Sequence, residues 1–388
     1  MSTERAERFL IIGGGIAAVA AAEEIRRLNA TASIVMISEE AALPYYRPAL
    51  SKELFLPRTR ERFSLHPPEW YSRRGIFLLS GRQVTRLIPR AKQLELAGGE
   101  VLGYDKCILA TGAQSMLPSL KGRTLRGVFT LRTVRDLDAI AGYIRPDMRA
   151  VVLGSGTVGL EAAWQLYLGG CHVTVLERGE QLMGGRIDEV LSRRIHALAN
   201  SRGVEIRTRA AVSRLEGTEQ VERVILPGQY LRADVVLLCC GSRPRAELAE
   251  GAGLESRGSI AVNARMMTGK YGIYACGDCA CMGEESYGSA ASAEEMGRYA
   301  GRNAAGEDAL FRPRPMLIQM EAFGTRLFAA GDCRGQSDGR TEHSGETGEE
   351  IFLYFREDRL CGFALLGDTS DAAAWMRRLE RGTFCTSV

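Results

Sequence analysis

No cysteine precedes Cys107 in this 388-residue chain; the ten present are Cys107, Cys171, Cys239, Cys240, Cys276, Cys279, Cys281, Cys333, Cys361 and Cys385. The N-terminal region therefore has no thiol to offer to any chemistry. The cysteines that do occur read as reduced, buried side chains rather than a disulfide framework. A charge excess is missing too: 50 Lys and Arg stand against 47 Asp and Glu, a formal net charge of +3. That is too little to argue for nucleic acid. No apolar run reaches membrane-spanning length. The opening MSTERAERFLIIGGG lacks signal-peptide architecture, because its short apolar run leads directly into a glycine turn. The expectation is a cytoplasmic protein that binds neither nucleic acid nor membrane. At 45% apolar and 25% charged residues, the balance is that of a globular chain long enough for two or three domains.

What is present is one unit written twice. The first copy is FLIIGGGIAAVAAAEEIRRLNATASIVMISEE, Phe9 to Glu40, and the second is AVVLGSGTVGLEAAWQLYLGGCHVTVLERGE, Ala150 to Glu180. Each reads as an apolar strand, a glycine turn, an alanine-rich helix and a second strand closing on an acid, the βαβ dinucleotide fingerprint. Gly13 and Gly154 permit the sharp turn. Gly15 and Gly156 let backbone approach a pyrophosphate, which the helix N-terminus attracts. The third glycine position, which governs helix–strand packing, is Gly159 in the second copy and Ala18 in the first. Glu39 and Glu177 stand where a carboxylate accepts hydrogen bonds from ribose hydroxyls.

Two such sites imply two dinucleotides, most simply a tightly held FAD and an exchanging nicotinamide. Glu177 would repel a 2′-phosphate, which favours NADH over NADPH. The adjacent Arg178 pulls the other way. Further along, KCILATGA (Lys106 to Ala113), DVVLLCCGSRP (Asp234 to Pro244) and IYACGDC (Ile273 to Cys279) read as buried strands ending in small-residue turns. Helices are expected around Val134 to Tyr143, Ala290 to Asn303 and Asp371 to Leu379. The fold class expected is α/β, with two Rossmann-like dinucleotide-binding domains and a small α+β C-terminal domain. The boundaries read as 1–116 and 246–313 for the FAD domain, 117–245 for the NAD(P) domain and 314–388 for the C-terminal domain.

These pieces, in this order, resemble the two-dinucleotide flavoproteins of the pyridine nucleotide–disulfide oxidoreductase superfamily. The resemblance rests on ATGA at Ala110 to Ala113 (Ala110, Thr111, Gly112), GSRP opening at Gly241, and TGKYGIYACGD ending at Gly277-Asp278. It implies that these positions line the cofactor sites, with Asp278 on the ribityl chain of FAD. Disulfide-reducing relatives need a thiol beside the flavin. Here none follows the first βαβ unit, and no CxxC lies between Ala150 and Arg245. Cys276 and Cys279 have that spacing but straddle the GD motif, and with Cys281 they suggest no metal site. YYRPALSKEL (Tyr45 to Leu54) resembles instead the cysteine-free branch of rubredoxin reductases, the flavin portion of nitrite reductases, oxygenase-type ferredoxin reductases and apoptosis-inducing-factor-like proteins. That resemblance implies a Lys52–Glu161 ion pair beside the flavin N5, where hydride arrives, and Arg47 on the FAD pyrophosphate. A full nitrite reductase subunit would need cluster and siroheme domains beyond Val388. The expected function is transfer of hydride from NADH to FAD and of electrons onward to a small rubredoxin- or ferredoxin-like protein. The alternatives are a flavin- and nucleotide-binding subunit of a larger redox complex, or an NADH oxidase.

Overall fold

Phe9, Leu10, Ile11 and Ile12 are at most 5% exposed. Unbroken burial of successive residues means that both faces of the strand are covered, as in the centre of a parallel sheet flanked by helices. The computed structural model describes residues 5–55, 63–283, 285–286, 288–335, 339–344 and 349–382; Cys385 lies outside them. The chain divides into two units. The first comprises Met1–Pro48, Pro57–Gln114 and Ser242–Arg314, and the second Ala49–Leu56, Ser115–Gly241 and Pro315–Val388.

In the first unit the strand Arg8–Ile12 lies between Ser33–Ser38 and Lys106–Leu109, with Ile76–Ser80 and Ile273–Ala275 at the two edges. All of these pairings are parallel. The helix Ile16–Leu28 packs on the helix Ala290–Ala304. A Cβ at Gly297 or Gly301 would stand 2.2 and 2.4 Å from the carbonyl oxygens of Ala17 and Ala21. The alanines of one helix and the glycines of the other thus bring the two backbones into contact.

The second unit repeats the plan. Its strand Arg149–Leu153 lies between His172–Leu176 and Val235–Leu238, with Glu205–Arg207 and Val128–Thr130 at the edges, again all parallel. The helix Thr157–Leu168 follows the second glycine turn. The same unit holds a five-stranded antiparallel sheet formed from Leu317–Ala322 onward. The amphipathic helix Ala372–Arg381 covers that sheet, seating Trp375 and Leu379 against Phe363 and Leu365.

One device recurs in both units and was not read from the sequence. Asp105 accepts the backbone N–H of Arg8 at 2.7 Å and returns its own N–H to the Arg8 carbonyl. Asp234 does the same for Arg149, at 2.8 Å. Each aspartate ties the start of the switch-point strand to the start of its neighbour. The bond from Arg8 holds the Asp105 carboxyl below the usual range, and the Arg149 side chain does so for Asp234.

Candidate functional site

The two glycine turns share one geometry. Gly13 and Gly154 have φ of 138° and 104°, and a Cβ on either would stand 2.0 or 2.4 Å from the carbonyl oxygen of Ala110 or Cys239. These glycines are required by the neighbouring strand, not by a ligand. Gly15 and Gly156 are the opposite case. They cap their helices without a side-chain bond, and a Cβ there would meet nothing within 4 Å. Each helix N-terminus, with no acid in its first turn, therefore faces open space beside its glycine, and helix N-termini attract anions. At the third position a Cβ on Gly159 would strike the Gly154 carbonyl at 2.2 Å, whereas Ala18 is accommodated at 0% exposure.

The closing acids differ. Glu39 accepts from Arg245 at 2.6 Å. The backbone of Arg245 donates to the Gly112 carbonyl and accepts from the Thr111 hydroxyl. Arg245 thus joins Glu39 to the Ala110–Gly112 turn, a link the sequence did not disclose. Glu177 is held by its own glycine turn. Its Oε2 accepts the Ser155 N–H at 3.0 Å and the Ser155 hydroxyl at 2.6 Å, and its Oε1 accepts the Gly179 N–H at 2.7 Å. Arg178 is exposed. Gly241, at φ 97°, accepts from the Met116 N–H.

In the first unit Arg47 donates to Glu40 at 2.7 Å and to the Tyr45 hydroxyl at 2.8 Å, and that hydroxyl donates in turn to Glu40. Burial opposes the charge on Arg47, but Tyr45 and Glu40 outweigh it, with Asp278 also contributing, and its pKa is raised. The chain therefore gathers a fixed cation near Asp278, which sits on the short turn Gly277–Cys279. Cys276 and Cys279 are fully buried and unbridged. The Cys279 thiol donates to the carbonyls of Leu109 and Cys276. Burial pushes both thiols above their ordinary pKa, the reverse of what a redox thiolate needs. Among the described residues no cluster of His, Cys, Asp and Glu could hold a metal, and no helix is long and apolar enough to cross a membrane.

The second unit contains the lysine–glutamate pair. Glu161, 3% exposed on the inner face of the helix Thr157–Leu168, accepts from Lys52 Nζ and the Ser51 hydroxyl. Its third partner is the backbone N–H of Glu321, at 3.0 Å. A buried carboxylate survives only when its acceptor positions are filled. Here two segments far apart in the chain, Ser51-Lys52 and Glu321, fill them, and the Lys52 side chain keeps 27% exposure. Sequence reasoning gave no role to Ser51, although it stands beside Lys52 in YYRPALSKEL, or to Glu321, which belongs to no motif.

Two parallel-sheet units, each opening a helix with a glycine turn at its switch point, make the fold of the two-dinucleotide oxidoreductases. Residues 7–297 match the family described as pyridine nucleotide-disulphide oxidoreductase, and the chain belongs to that family of oxidoreductases. It is 32% identical over 343 residues to the ferredoxin–NAD(+) reductase subunit of the benzene 1,2-dioxygenase system of Pseudomonas putida, covering 86% of this chain and 82% of that one. It is 30% identical to the nitrite reductase (NADH) large subunit of Escherichia coli (strain K12), across 94% of this chain but only 44% of the relative. Among solved structures, the covalent putidaredoxin reductase–putidaredoxin complex superposes with a TM-score of 0.91 at 27% identity, over 97% of this chain and 94% of that one.

Proposed function

We propose that this chain holds FAD in the first cradle, takes hydride from NADH bound at the second, and passes electrons to a small redox protein of the ferredoxin or rubredoxin kind. The observation carrying this reading is the pairing of two open glycine cradles with a first βαβ unit and RPALSK segment that contain no cysteine and a Cys276–Cys279 pair that is buried. No cysteine precedes Cys107, and Cys276 and Cys279 are buried with raised pKa values. An electron carrier, rather than a disulfide, is the acceptor that needs no thiol.

The residues present fit the two nucleotides. Gly15 and Gly156 leave space for phosphate, Arg47 supplies a fixed positive charge, and Glu177 presents a carboxylate to ribose. Asp278 is assigned to the ribityl chain on the family resemblance. When bound, FAD supplies the chemistry of accepting two electrons as hydride and releasing them one at a time. The chain's part is orientation and charge. Glu161 fixes the Lys52 ammonium in one place, so that its charge is preorganised for the flavin edge to which the resemblance assigns it.

Anaerobic addition of NADH to the yellow protein should bleach the flavin within seconds, and a panel of ferredoxins and rubredoxins should then accept the electrons. A protein that takes up no FAD, or is not reduced by NADH, refutes the reading. The 44% coverage of the nitrite reductase large subunit favours one second reading, a flavin module of a larger redox complex. Fast reduction with no acceptor in the panel, and a partner that co-purifies, would establish it. Oxygen consumption matching NADH oxidation would make the chain an oxidase.

A further inference from the structure

The second cradle contains a residue that the dinucleotide pattern leaves unspecified. Ser155 stands between the two turn glycines and is 0% exposed. Its hydroxyl and its N–H both bond one oxygen of Glu177, at 2.6 and 3.0 Å, while Gly179 N–H bonds the other at 2.7 Å. The Met183 N–H donates back to the Ser155 oxygens, at 3.3 Å to the hydroxyl and 3.2 Å to the carbonyl. A carboxylate offers about four acceptor positions. Three are filled from within the protein, and the one left is on Oε1.

We propose that Ser155 is a positioning residue for nucleotide selectivity: it locks Glu177 so that one carboxylate oxygen accepts a single ribose hydroxyl and refuses a 2′-phosphate. The inference rests on the second cradle being the nicotinamide dinucleotide site. The lock decides selectivity for a physical reason. A freely rotating glutamate can swing away from an incoming phosphate, or be drawn aside by the neighbouring Arg178. The Ser155 hydroxyl bond, at 2.6 Å the shortest of the three, is the side-chain part of that hold; with it in place the carboxylate is hard to displace, so a phosphate monoester must meet its charge at hydrogen-bonding range. Preorganisation also lets the correct ribose bind without first ordering the side chain.

The first copy supplies a natural control. Its equivalent turn residue is Gly14, whose Cβ would stand 2.5 Å from the Ser38 hydroxyl; a serine in that turn would have to displace Ser38, and Glu39 is held by Arg245 instead.

The test measures binding by calorimetry on the intact protein, with ADP-ribose and 2′-phospho-ADP-ribose as probes, so that it does not depend on turnover. Ser155→Ala and Ser155→Gly should each weaken ADP-ribose by about tenfold, the loss expected for one hydrogen bond to a charged group. Affinity for the 2′-phosphate probe should stay level or rise. In a Glu177→Ala background, Ser155→Ala should have no further effect, because it acts through that carboxylate. Thermal melting monitors folding, and the glycine variant, borrowed from the first copy, guards against a defect specific to alanine. Equal weakening of both probes, no change with either, or full additivity with Glu177→Ala overturns the inference. If the wild-type protein binds neither probe, the underlying assignment of the cradle falls first, which is a separate result.

Discussion

The two cradles begin with the same backbone and end with different chemistry. In both, the first turn glycine is forced by a carbonyl of the adjacent strand and the second faces open space. Around the first cradle two of the remaining groups come from far along the chain, Arg245, which reaches Glu39 across 206 positions, and Asp278; Arg47 follows the closing acids within a few residues. Around the second, Ser155, Glu177 and Gly179 lie within one βαβ unit. A ligand clasped by several discontinuous segments is hard to release, which suits a resident cofactor. A ligand read by one local unit can come and go, which suits a substrate nucleotide. Arg245 and Glu39 are both nearly half exposed, and a surface pair of that kind contributes only about 0–1 kcal/mol. Its role is orientation of the strand-end acid, not stability.

The strongest way to break this comparison is to block each cradle alone. Gly13→Ala places a Cβ on the Ala110 carbonyl and should yield protein without flavin, destabilised by about 3 kcal/mol or more; the flavin-to-protein absorbance ratio and the melting midpoint measure this. Gly154→Ala places its Cβ on the Cys239 carbonyl. It should keep the yellow colour while losing reduction by NADH. If both variants lose flavin equally, the division of labour between the cradles is wrong.

Next in size is the Lys52–Glu161 pair. Lys52→Met should retain FAD but slow its anaerobic reduction by NADH about tenfold or more, read by stopped flow, with a shifted flavin potential. Unchanged rate and potential would reduce Lys52 to a charge that neutralises Glu161. Cys276→Ser and Cys279→Ser should alter acceptor-dependent turnover by less than about twofold, since neither thiol has the thiolate character a relay needs. A large loss would reopen the thiol route.

The smallest effect concerns the paired strand ties. Asp105 and Asp234 have depressed folded-state pKa values, set first by the Arg8 backbone bond and the Arg149 side-chain bond. A depressed carboxyl binds fewer protons in the folded than in the unfolded state. Its stabilisation is therefore complete above the ordinary carboxylate range and is lost as pH falls through the folded value. Melting curves should show a gradual decline on acidification. In Asp105→Asn and Asp234→Asn variants that decline should be shallower, with lower stability at neutral pH. Equal slopes in wild type and variants would remove these groups from the linkage.

Much of the architecture was legible because its signals are local. A strand, a glycine turn and a helix announce themselves through spacing, and the helices read at Val134 to Tyr143 and Ala290 to Asn303 occur as Val134–Tyr143 and Ala290–Ala304. What escaped was everything set by approach between distant segments. The helix Glu189–Ser201, started by the Asp188 side chain on the Leu191 N–H, and the three-stranded sheet Arg214–Glu216, Arg223–Leu226 and Gln229–Arg232 carry no motif and went unread. The YYRPALSKEL stretch pointed to Lys52 and Glu161 only through family resemblance. Nothing in its spacing names Ser51 or the Glu321 N–H as the groups that make burial of the carboxylate tolerable.

From the sequence alone came the doubled cradle, the closing acids and the missing thiol, because each depends on neighbours within a few tens of residues or on composition. Tertiary structure alone decided which groups occupy those acids. Hydrogen bonds are satisfied by whatever the fold brings within 3 Å or so, and only the packed chain shows that Arg245 meets Glu39, that Ser155 bonds Glu177, and that two distant segments, Ser51-Lys52 and Glu321, supply the partners of Glu161.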